Sequence, residues 1–155
     1  MTSTKELNVN TVIKEIYNGT IQALKTVVPI EAQIGSPNLV EPPLEVKFGV
    51  LIGFTGDIKG ELIIKGDDKL FSSIGEAMFG MALSDEMLES FSGELGNMLA
   101  GSLSTQIAQN NITTDITHPT VLTGNAKLSG FKRALVVKAT YPNIGDLDVC
   151  LLIKQ

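Results

Sequence analysis

Ser84-Asp85-Glu86-Met87-Leu88-Glu89-Ser90-Phe91-Ser92-Gly93-Glu94-Leu95-Gly96-Asn97-Met98-Leu99-Ala100-Gly101-Ser102-Leu103-Ser104-Thr105-Gln106-Ile107-Ala108-Gln109-Asn110-Asn111 reads as one long helix. Ser84 suits the N-cap, where its hydroxyl can accept from a backbone N–H that the helix leaves free. Asp85 and Glu86 sit at the positive end of the helix dipole, and Asn110-Asn111 can take the left-handed turn that closes a helix. At about 100° per residue, Met87, Leu88, Phe91, Leu95, Met98, Leu99 and Ser102 share one stripe broad enough to pack on a sheet. That stripe is the expected core face.

Along the edge of the stripe, three and four residues apart, come Ser90, Glu94, Asn97 and Gly101, which therefore point the same way. Small residues surround them: Gly93, Gly96, Ala100, Gly101, Ser104 and Ala108. Each glycine inside a helix costs roughly 1 kcal/mol relative to alanine, so Gly93, Gly96 and Gly101 together imply that something must come close. Glu94 can accept hydrogen bonds or pair with a cation. Asn97 can donate and accept at once but is no base near neutral pH. This pair suits holding a partner and orienting a water, with the harder chemistry supplied elsewhere. The plainer alternative is that both are solvated helix residues.

The 155 residues fit one domain spanning the whole chain, large enough to bury a core without disulfides. Hydrophobic residues make up 43% and Trp is absent, so a folded chain with an aliphatic core is expected. A net charge of −5 and scattered Lys and Arg argue against nucleic acid as a partner. No apolar run reaches the roughly 18 residues of a membrane span, and residues 1–10 lack the apolar centre of a signal peptide, so a cytoplasmic location and no membrane contact are expected. Cys150 and His118 are the single residues of their kinds. A zinc site of His and Cys ligands cannot be assembled from them, and a Ser-His-Asp or Cys-His mechanism would have to centre on His118, whose setting before Pro119 reads as a strand end entering a turn. No His/Cys zinc site is therefore expected in this chain.

Elsewhere, Asn8 or Asn10 can cap a first helix reaching about Lys25, with Val12, Ile13, Ile16, Tyr17, Thr20, Ile21 and Leu24 facing the core. Its Glu15 and Asn18 repeat the Glu94/Asn97 spacing but lie opposite that stripe, on a solvated face. Residues 27–34 have strand composition interrupted by Pro29, and 36–43 reads as a loop. Alternation at Val46, Phe48, Val50, Ile52 and Phe54, a turn at Thr55-Gly56-Asp57, and alternation at Ile58, Gly60, Leu62 and Ile64 predict a hairpin with one face for the core. A second helix follows Gly66-Asp67-Asp68, burying Leu70, Phe71, Ile74, Ala77 and Met78 before Gly80 ends it. After the long helix come a short strand at 112–116, a turn near Pro119, a loop at Thr123-Gly124-Asn125, and strands at 134–140 and 147–153, the last with Leu147, Val149, Leu151 and Ile153 on one face. Helix, strands, two helices and strands make an α+β domain with helices laid on a mainly antiparallel sheet. Nucleotide-binding fingerprints and internal repeats are absent.

Ser90-x-x-x-Glu94-x-x-Asn97, set in Gly93-Glu94-Leu95-Gly96-Asn97-Met98 and followed by Ala100-Gly101, resembles the signature of the CheC/CheX/FliY phosphatases of bacterial chemotaxis. The resemblance continues through Asp115-Ile116-Thr117-His118-Pro119-Thr120-Val121 to Gly124, and upstream takes in the hairpin Gly53-Phe54-Thr55-Gly56-Asp57-Ile58-Lys59-Gly60. It spans about 51–137. One such helix in a short chain is most similar to CheX; CheC proteins typically carry two, and FliY has further segments. The resemblance implies hydrolysis of the aspartyl phosphate of a CheY-like response regulator. It assigns Glu94 to anchoring through a lysine of the receiver and Asn97 to positioning the attacking water, with Ser90, Gly93 and Gly101 on the partner-binding edge. It also implies magnesium held by the receiver, no metal in this chain, and a homodimer joined through the sheets. A non-catalytic module of the same fold, docking to a receiver or a flagellar-switch component, is the alternative.

Overall fold

The computed structural model of the protein describes residues 9–154. In chain order the elements are α1 (Val9–Val27), β1 (Gln33–Ile34), β2 (Asn38–Val40), β3 (Leu44–Gly56), β4 (Lys59–Gly66), α2 (Asp68–Phe79), α3 (Asp85–Ala108), β5 (Thr114–Ile116), β6 (Thr120–Leu128), β7 (Ala134–Tyr141) and β8 (Gly145–Lys154). The alternating residues of β3 and β4 form the expected hairpin, with Val50 opposite Ile64 and Ile52 opposite Leu62. β4 then pairs with β8, and β8 with β7. Every pair is antiparallel, and the sheet order is β1-β7-β8-β4-β3-β5, with β2 also on β7 and β6 also on β3. This is the α+β arrangement read from the sequence.

Both faces of the sheet are buried, where one was expected. Phe48, Val50, Ile52 and Phe54 of β3, Leu62 and Ile64 of β4, and Leu147, Val149 and Leu151 of β8 belong to the main core with the helices. Leu44, Val46, Ile63, Ala134, Cys150 and Leu152 form a second cluster containing no helical residue, packed by Leu122, Ala126 and Leu128 of β6 and by Phe131. Ile153, expected on the main face, has a side chain outside the described residues. β6 runs through the predicted loop at 123–125. Val46 and Phe48 oppose Ala126 and Thr123, so Gly124 and Asn125, at φ 75° and 61°, take up one extra residue as a bulge.

Smaller differences have local causes. Only Gln33–Ile34 of the predicted 27–34 strand pairs, because Val27 still belongs to α1 and Pro29 has no N–H to give a ladder. β2 lies inside the predicted 36–43 loop. In α2, Ala77 is exposed, and the buried place goes to Gly75 beneath Leu83 and Phe91. Gly80 ends that helix at φ 73°, as read. Of the two caps proposed for α1, Asn8 lies outside the described residues and Asn10 falls within the helix.

α1 and α3 pack on one another at Gly19, where an added Cβ would lie 2.6 Å from Leu103 Cδ1 and 3.3 Å from Ile107 Cγ2. A methyl group cannot fit there without movement, so the small residue sets the helix separation. Glu15, expected on a purely solvated face, accepts a hydrogen bond from Asn110 Nδ2 just beyond the C-terminal end of α3. Asn18 is exposed as expected.

Candidate functional site

α3 begins as its sequence dictates. Ser84 Oγ accepts from Met87 N at 3.4 Å, and Asp85 and Glu86 occupy the first turn. The helix ends at Ala108, and the N–H groups of Asn110 and Asn111 bond back to Ile107 O at 3.0 Å and Ala108 O at 3.1 Å, with Asn111 alone at positive φ, 64°. Its buried face differs from the predicted one. Phe91, Ser92, Gly93, Leu95, Gly96, Leu99, Ala100, Leu103 and Ile107 are buried, whereas Met87 and Met98 are exposed and Ser102 only half-buried. The core stripe is turned by roughly a quarter of a turn from the expected one. The row Leu95, Leu99, Leu103 and Ile107, spaced by four, governs how the helix lies on the sheet.

This rotation reassigns the small residues. Gly96 faces the sheet, where an added Cβ would stand 2.6 Å from Val50 Cγ1 and 3.1 Å from Val50 Cβ; helix-to-sheet packing accounts for it. Gly93 is buried, with Val121 Cγ2 and Pro119 Cγ at 3.6 and 3.9 Å from the place of a Cβ. Only Gly101 of the three opens onto free space. The inference that all three glycines admit an approaching partner therefore narrows to Gly101.

The rotation also carries the polar residues outward. Ser90 and Glu94 are exposed, Asn97 and Gly101 half-buried, and the four occupy the side of α3 nearly opposite its buried row. Among the described residues, the Glu94 carboxylate and the Asn97 carboxamide have no hydrogen-bond or ion-pair partner. Two donors and the full acceptor capacity of these groups thus face solvent.

The 114–121 segment borders this ridge. Ser104 Oγ lies 2.7 Å from Thr114 Oγ1 and donates to Thr114 O at 3.2 Å. Gly53 N donates to Thr117 Oγ1 at 2.8 Å, and Thr117 N to Gly53 O at 3.0 Å, tying the end of β5 to β3. Pro119 and Val121 then come against Gly93, one turn before Asn97. The Asp115-to-Val121 stretch singled out in the sequence is therefore a wall beside the ridge. His118 within it is exposed.

Two features of this surface escaped the sequence reading. Between residues 70 and 126 the charged side chains are Glu76, Asp85, Glu86, Glu89, Glu94 and Asp115, with no Lys or Arg, and all six are exposed. Beside Ser90, the side chains of Phe79, Leu83, Glu86, Met87 and Phe91 line an open cleft of about 490 Å³. The charge bias could have been counted from the sequence. The cleft could not, because hydropathy and helical spacing put Met87 on the core stripe. No group of three or more His, Cys, Asp or Glu side chains placed to hold a metal ion occurs among the described residues.

An α+β sheet with a long helix presenting Ser-x-x-x-Glu-x-x-Asn outward defines a class, and comparison with known proteins agrees with it. Residues 48–134 match the family model described as chemotaxis phosphatase CheX. The CheY-P phosphatase CheX of Thermotoga maritima is 32% identical over 153 residues, covering 95% of this chain and 96% of that one. The crystal structure of chemotaxis protein CheX from Desulfovibrio desulfuricans superposes with a TM-score of 0.79 at 19% identity, covering 92% of this chain and 99% of that chain. The CheX-CheY-BeF3-Mg2+ complex from Borrelia burgdorferi gives 0.77 at 22% identity, over 92% of this chain and 97% of that one. The chain belongs to the CheX family of chemotaxis phosphatases.

Proposed function

We propose that this protein hydrolyses the aspartyl phosphate of a CheY-like response regulator, acting as a single cytoplasmic domain. The observation that carries the reading is the outward, unpartnered Glu94/Asn97 pair in a chain 32% identical over 95% of its length to a CheY-P phosphatase. In the reaction, a water oxygen attacks phosphorus in line with the acyl oxygen. The P–O bond to the receiver aspartate breaks, inorganic phosphate leaves and the carboxylate is restored. An acyl phosphate is already reactive, so placing the water supplies much of the acceleration without a base on this chain.

Asn97 accepts from the water through its carbonyl oxygen and donates to the phosphoryl group through its NH2, fixing the line of attack. Glu94 pairs with a receiver lysine, a charge-assisted contact that strengthens as the interface excludes water. Ser90 and Gly101 border the contact, and Gly93 lies beside its Pro119 and Val121 wall. Magnesium bound by the receiver would offset charge on the phosphoryl oxygens; the Borrelia relative was crystallised with CheY, BeF3 and Mg2+. We further infer a homodimer joined through the sheet, which sedimentation would read directly.

The test is phosphate release from a phosphorylated receiver. Wild type accelerates it, and Asn97→Ala abolishes the acceleration with an unchanged melting temperature. Unchanged turnover in Asn97→Ala would end the proposed mechanism. Binding of the receiver without faster release in the wild type would instead identify a docking module.

A further inference from the structure

Of the five exposed large apolar side chains among the described residues, Phe79 (60% exposed), Met81 (55%), Met87 (42%) and Met98 (38%) belong to the end of α2, the α2–α3 connection and the outer side of α3, and Leu39 lies elsewhere. Single exposed apolar residues are ordinary, but a concentration of this kind marks a contact surface. Phe79 is held in place by an edge-on contact with Phe91, ring centroids 5.6 Å apart. Met87 shares the open cleft with Phe79 and Ser90. Met98 lies one turn beyond Glu94 and three turns beyond Met87, on the same outward side.

We propose that this Phe/Met surface is a second contact zone for the receiver, taking a face that combines apolar side chains with Lys or Arg. The inference rests on the proposed function and says how the partner is held while Asn97 works. Two observations commit it to that occupant. Ser90 belongs both to the ridge and to the cleft, so a protein seated over Glu94 and Asn97 also covers Met87 and Phe79. The charges beside it, Glu86 in the cleft and Glu94 on the ridge, are acidic, and the chain from 70 to 126 has no Lys or Arg, so a basic face is complementary and an acidic one repelled. Methionine adapts its shape to the surface it meets, which suits a contact that forms and releases with each turnover.

The test titrates the receiver, loaded with beryllofluoride and Mg2+, onto the full chain in wild type, Met87→Ala/Met98→Ala and Glu86→Lys forms. Both Met side chains are exposed, so the variants should keep the wild-type melting temperature. The double Met variant is expected to weaken binding about tenfold and to raise KM in step, and the charge variant to weaken it most at low salt. Asn97→Ala shows the opposite pattern, binding retained and turnover lost. Binding within twofold of wild type in both variants overturns the surface proposal and leaves the phosphatase reading standing. So does conversion of a dimer to a monomer by the Met substitutions without receiver, which would assign the surface to a second copy of this chain. A wild type that neither binds the receiver nor speeds phosphate release overturns both readings.

Discussion

Two glycines one turn and a half apart on α3 have opposite reasons to be there. A methyl group at Gly96 would press into Val50, so Gly96→Ala should cost about 1–3 kcal/mol, visible as a lower urea midpoint. Gly101 meets nothing, so Gly101→Ala should gain up to about 1 kcal/mol from helix propensity alone. A large side chain there, such as Gly101→Leu, should raise KM for the receiver if that position lies under the partner. At Glu94 the expected loss is of docking: Glu94→Gln should raise KM roughly tenfold, about 1.4 kcal/mol, and flatten its dependence on salt. The Ser90, Glu94 and Asn97 spacing could be read directly because helical periodicity fixes relative direction. The reasons for the glycines could not, since they depend on which strand lies underneath.

The elements themselves were legible wherever local chemistry sets them. Ser84 caps α3 and Gly80 closes α2 as read, and Ser84→Ala should lower stability by about 1 kcal/mol without altering turnover, measured by thermal melting and phosphate release. Tertiary packing overrode the rest. Met87 and Met98 look like core residues by hydropathy, yet the leucine and isoleucine row from Leu95 to Ile107 sets the roll of the helix and leaves them outside. The Thr123-Gly124-Asn125 turn signal was sound about the backbone, because two residues there do take positive φ. Pairing to β3 on both sides turned that signal into a bulge within one strand. Gly19 on α1 carried no mark of its importance, since helix-on-helix contact has no local signature.

At the level of the whole molecule, two buried acids set an alkaline limit. Burial in the second cluster pushes the Cys150 thiol from 9.0 up to about 12, with Lys65 pulling it down and Asp148 raising it further. Burial likewise raises the Tyr141 hydroxyl from 10.0 to about 12. Both groups hold their protons more tightly folded than unfolded, so their contribution is complete below about pH 9 and is lost as pH rises towards 12. Stability should be flat in this respect through neutrality and decline above pH 9; Cys150→Ala and Tyr141→Phe together should flatten that decline in pH-dependent urea melts. The α+β layering and the hairpin were legible from alternation. The two-sided burial of the sheet was not, because it follows from β6 and Phe131 closing over strands far away in sequence.

The outward ridge of α3 points almost directly away from the row that anchors it, and this separates two kinds of selection. Residues at 90, 94, 97 and 101 can drift or be redesigned without disturbing the packing that keeps the helix seated. A saturation library over those four positions should therefore yield many soluble variants that differ in which receiver they recognise. Substitutions at 95, 99, 103 and 107 should instead fail at the stage of expression.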